Sequence, residues 1–62
     1  VNALGRMMVR RQFRPADLAA LSGISGRKLY NILNNRTYPT EMDLFSLARA
    51  LDCKPDDIRE RT

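Results

Sequence analysis

The chain has 62 residues, 44% of them hydrophobic and 29% charged, with a formal charge of +4. That length allows one domain, so small that folding buries only about 60% of the surface the unfolded chain exposes, and it calls for a compact helical core. A single cysteine and no histidine exclude an intramolecular disulfide and a Cys/His zinc site, and no apolar run approaches the ~18 residues of a membrane span.

Residues 3 to about 12 read as a first helix, with Leu4, Met7 and Met8 toward the core and Phe13 anchoring its exit. Gly5 weakens it by about 0.5–1 kcal/mol relative to alanine, which tertiary packing must offset. The methionines read as gap-filling core rather than as a ligand site. Arg10 and Arg11 have two readings: solvated surface, or, for one of them, a phosphate contact.

A second helix starts at Pro15, whose ring pre-sets φ and whose missing N–H has no partner in a first helical turn. Leu18, Leu21 and the small Ala19 lie on one side of it. The run stops at Ser22-Gly23, where glycine takes the positive φ that ends a helix. Beyond Ile24, Ser25 is placed to cap a third helix whose buried face is Leu29, Ile32 and Leu33. About three residues separate the two helices. This is the helix-turn-helix arrangement, in which the second helix enters a major groove with its N-terminal residues aimed at base edges.

On the third helix Gly26, Arg27, Lys28, Tyr30, Asn31 and Asn34 are not used for packing. Arg27 can donate two parallel hydrogen bonds to O6 and N7 of guanine, and Asn31 can pair with N6 and N7 of adenine. One turn separates them, so both can point into one groove. Tyr30 either contacts DNA or packs on the following loop. Asn34-Asn35 closes the helix, and asparagine tolerates the left-handed conformation needed there. In the loop that follows, Arg36, Thr37 and Tyr38 offer a cation, a hydroxyl and a phenol to phosphate oxygens. Tyr38 also suits a cover over the core edge before Pro39.

Residues 40–51 form a fourth helix, opened by a capping-box-like Thr40 and Asp43 pair. Leu44, Leu47, Ala48 and Leu51 make its apolar face, with Met42 and Phe45 filling beside them. Cys53 reads as a small buried apolar residue. Pro55 opens a last helix to about Glu60, with Asp56 and Asp57 at its positive end. Those paired acids are a helix-start signal, since no cleft or metal partner accompanies them, and neither a catalytic group nor a cofactor is expected.

Charge is unevenly spread. Residues 1–38 carry seven basic groups and one acid, a net of +6, while residues 39–62 carry four basic groups and six acids, a net of −2. A polyanion would be drawn to the half that holds the helix-turn-helix. Ordinary solubilising charge is the plainer alternative. The lone cysteine suits a reducing cytoplasm, no signal-peptide pattern is seen, and the opening Val1 is read as a trimmed or excerpted start.

The small Ala19, Gly23 four residues later, then Ile24, Leu29 and Ile32, with the closing L-A-R-A-L-D-C-K-P-D-D-I of residues 47–58, make the chain similar to the Cro/C1-type helix-turn-helix domains, the Xre family. The likeness covers roughly residues 4–58 and implies an all-α fold, a compact five-helix lambda-repressor-like bundle occupying residues 1–62. It implies that Ser25, Gly26, Arg27 and Asn31 hold base-reading positions, with Lys28 and Tyr30 at the flank. It also implies that the loop bearing Arg36, Thr37 and Tyr38 touches the DNA backbone. Two positions depart from the family pattern. Pro15 stands where many relatives carry a backbone-contacting glutamine, with Arg14 before it as a possible replacement charge at a helix N-terminus. Gly26 stands where a side chain is normally available.

The resemblance implies a bacterial or phage transcription regulator, a repressor, that binds double-stranded DNA as a homodimer in the cytoplasm. Arg14, Arg36, Thr37 and Arg11 are then the phosphate-side candidates. An alternative from another class keeps the fold as a protein-interaction or antitoxin-like module, prompted by Pro15 and Gly26 and by the acidic, apolar second half.

Overall fold

A computed structural model describes residues 2–59. It contains five helices: α1 (Ala3–Arg10), α2 (Pro15–Ser22), α3 (Gly26–Leu33), α4 (Glu41–Leu51) and α5 (Pro55–Ile58). The described residues contain no strand, as the all-α five-helix expectation has it. The predicted end of the last helix at Glu60 lies outside the described residues, as does Val1.

Local chemistry sets most of the helix ends. Asn2 caps α1, its Oδ1 accepting from the Gly5 N–H at 2.8 Å. That helix stops at Arg10, two residues before the predicted end. Gln12 takes the left-handed conformation (φ 60°), and the N–H groups of Gln12 and Phe13 turn back to the carbonyls of Val9 and Met8. Pro15 opens α2, and Gly23 closes it at φ 78°, donating to Ala19 O at 3.0 Å. Thr40 and Asp43 form the full reciprocal capping box on α4. Asp52, at φ 56°, ends α4 in the left-handed conformation.

α2 packs on α3 and α4, and α5 fits between α1 and α4. Leu18, Leu29 and Leu47 meet at the centre with no exposed surface, surrounded by Leu4, Met8, Leu44, Leu51 and Ile58. Phe13 packs against this core from the α1 exit, as predicted, and Cys53 is half-buried beside it.

Three apolar residues expected inside lie outside. Met42 is 75% exposed and Phe45 61%. Around a helix of 3.6 residues per turn, Phe45 stands about 100° and Met42 about 160° from Leu44, outside the stripe that Leu44, Leu47, Ala48 and Leu51 turn inward. Leu21 is 65% exposed. At the last turn of α2, an open groove separates it from Ser46, Arg49 and Ala50 of α4, so it does not join Leu18 in the core.

Candidate nucleic-acid interface

Ser25 starts α3 in extended backbone, and its hydroxyl accepts from the Lys28 N–H at 3.1 Å. With Ile24 seated in the core and Leu29 and Ile32 buried beneath the helix, the rotation of α3 is fixed. That rotation leaves Gly26, Arg27, Lys28 and Tyr30 exposed, with Asn31 half-buried. Arg27 and Asn31, four residues apart, therefore share one side of α3.

The end of α3 is built by hydrogen bonds. Asn35 adopts φ 61°, its N–H reaches Ile32 O at 3.1 Å, and the Arg36 N–H reaches Asn31 O at 2.9 Å. This is the Schellman pattern. Asn34 spends its side-chain amide on Tyr30 O at 2.8 Å, so it acts on its own helix. Arg36, Thr37 and Tyr38 follow in an exposed loop. Tyr38 borders a small recess with Asn2, Pro39 and Leu44, yet 74% of its surface is open. It therefore both rims the core edge and faces solvent.

Asn2 ties this end of α3 to the start of α1. While its oxygen caps α1, its amide nitrogen donates to Ile32 O at 3.0 Å and Asn35 Oδ1 at 3.1 Å. Asn2 is 92% buried, so these bonds work where water does not compete. Sequence reasoning passed it over. An asparagine immediately before a helical pattern is itself an N-cap signal, but its second set of partners lies thirty residues away.

Acids of α4 and α5 carry ion pairs. Arg59 grips Glu41 with both guanidinium nitrogens and also bonds Asp56, which holds the Glu41 carboxyl below its usual range. Among the described residues, Arg14, Arg27 and Arg36 have no ion-pair partner. Lys28 differs from these three: its ammonium lies 3.0 Å from Asp43 Oδ2. Burial raises the Asp43 carboxyl, but the Thr40 N–H, the Lys28 ammonium and the Thr40 hydroxyl outweigh it, and the net shift is downward.

Arg14 precedes α2 as its cap residue, and its guanidinium, which has no acceptor, makes no cap bond. Arg11 is not grouped with the α3 residues. It borders an open groove with Asp17 and Leu21, and its charge is felt by Cys53, whose thiol is pushed up by burial and by Asp57. A Cβ at Gly26 would meet nothing within 4 Å, so packing inside the chain does not demand glycine there.

α2 and α3, joined through Gly23 in the left-handed conformation and with Ser25 capping α3, form a helix-turn-helix. The family model of the Cro/C1-type HTH DNA-binding domain matches residues 3–62. The chain belongs to that family. Comparison with curated proteins found no match, and comparison with solved structures found none.

In this Cro/C1-type domain, Ser25 caps α3, Gly26, Arg27 and Asn31 lie on it, and Arg36 and Thr37 follow its C-terminal turn. No group of three or more His, Cys, Asp or Glu residues among the described residues could hold a metal ion, and no described helix is long and apolar enough to cross a membrane.

Proposed function

We propose that this Cro/C1-type domain is a sequence-specific transcriptional regulator, a repressor, that lays α3 in the major groove of double-stranded DNA. The observation that carries the reading is the pairing of an unpartnered, exposed Arg27 with Asn31 one turn on, on a helix whose rotation the core fixes. Arg27 reads guanine and Asn31 adenine, with Ser25 and Gly26 at the closest approach of the backbone. Arg14, Arg36 and Thr37 set register on the phosphates, flanked by Tyr30 and Tyr38, and Arg11 adds a further cation. A single domain of this size binds weakly, so a homodimer on half-sites about 34 Å apart supplies useful specificity. The setting is the cytoplasm of a bacterium or a phage-infected cell.

Selection from a random duplex pool, with wild type and Arg27→Ala in parallel, tests this. Wild type is expected to enrich one motif, and the variant to lose discrimination at one guanine by about 1–3 kcal/mol. Identical, unselective recovery by both proteins would sink the reading.

A second reading, a protein-interaction or antitoxin-like module, is favoured by one specific observation: Leu21, Met42 and Phe45 are large, apolar and exposed. A partner would cover them, and their replacement by polar residues would abolish its binding while leaving DNA selection intact.

A further inference from the structure

Lys28 stands directly after Arg27 in the first turn of α3, where a free ammonium would add to the attraction for any DNA. It is not free. Its Nζ lies 3.0 Å from Oδ2 and 3.2 Å from Oδ1 of Asp43, on a different helix. That carboxylate is tethered, because Oδ2 also accepts the Thr40 N–H at 3.0 Å. The Asp43 side chain is 11% exposed, against 45% for Lys28. Moving Lys28 to a phosphate would thus leave a largely covered carboxylate, still bonded to the Thr40 N–H, without its counter-ion.

We propose that Asp43 is a positioning residue that withholds Lys28 from DNA phosphates, so that α3 presents Arg27 and Asn31 to the bases with one cation fewer acting on every sequence alike. The inference rests on the DNA-binding reading above. It assigns to the α4 capping box a role in specificity: the group that starts α4 also restrains the side chain beside Arg27.

The test is the salt dependence of binding to a mixed-sequence DNA duplex, followed by fluorescence anisotropy, for wild type, Lys28→Gln, Asp43→Asn and the double variant. Each phosphate neutralised contributes about 0.9 to the slope of log K against log salt. Wild type and Lys28→Gln are expected to give the same slope. Asp43→Asn, which retains an acceptor for the Thr40 N–H, is expected to steepen it by about 0.9, equivalent to an extra loss of about 3.5-fold between 50 and 200 mM salt. Adding Lys28→Gln to Asp43→Asn should restore the wild-type slope. A drop of about 0.9 on Lys28→Gln alone would overturn the proposal, as would an unchanged slope in a folded Asp43→Asn. Should Asp43→Asn fail to fold by circular dichroism, the Lys28→Gln comparison decides alone. Wild type without salt-dependent binding would overturn the DNA reading itself, a result distinct from either of those.

Discussion

Leu44 and Phe45 are adjacent in sequence and opposite in environment: Leu44 is 4% exposed and Phe45 61%. Truncation separates them. Leu44→Ala removes methyl groups from a filled core and is expected to cost about 2–5 kcal/mol, while Phe45→Ala, with little burial to lose, should change stability by no more than about 0.5 kcal/mol. Thermal melting of the two variants checks this, and an equal loss in both would put Phe45 back inside. Sequence spacing identified the α4 stripe correctly. It admitted Met42 and Phe45 because apolar character was read without the angular limit of the stripe. Lys28 and the long-range bonds of Asn2 show a different gap, since those partners lie on other elements and carry no local signal.

At the scale of the helix, both ends of α2 and α3 and the start of α4 were legible because each rests on neighbouring residues: Pro15 and Gly23, Ser25 and Asn35, Thr40 and Asp43. Gln12 was not, because glutamine does not advertise a left-handed backbone; Asp52 was passed over although aspartate is one of the few non-glycine types that adopt it. The α4 start also carries a pH dependence. Asp43 is held below the ordinary aspartate value of 3.8 in the folded chain, so the unfolded chain binds its proton first. Its contribution is complete at neutral pH, begins to fade below about pH 5 and is gone once the pH has fallen through the folded pKa. Melting temperature should therefore drop on acidification, and Asp43→Asn should flatten that drop. A variant as acid-sensitive as wild type would show that the lost stability lies elsewhere.

Over the whole molecule, Glu41, Asp43 and Asp56 of α4 and α5 are ion-paired, while among the described residues Arg14, Arg27 and Arg36 have no ion-pair partner. About four phosphates neutralised per protomer give a slope of log K against log salt near −3.6, and a slope near zero in a salt titration would remove the electrostatic case for DNA. The sequence by itself determined the helix count, the helix-turn-helix and the Cro/C1-type family, because caps, turn residues and apolar periodicity are written within a few residues of where they act. Tertiary structure alone decided that Leu21 stays outside, that Asn2 ties α1 to the end of α3, and that Lys28 is paired with Asp43. Each of those depends on which surface of one helix meets another, and that is set by the packing of the whole core.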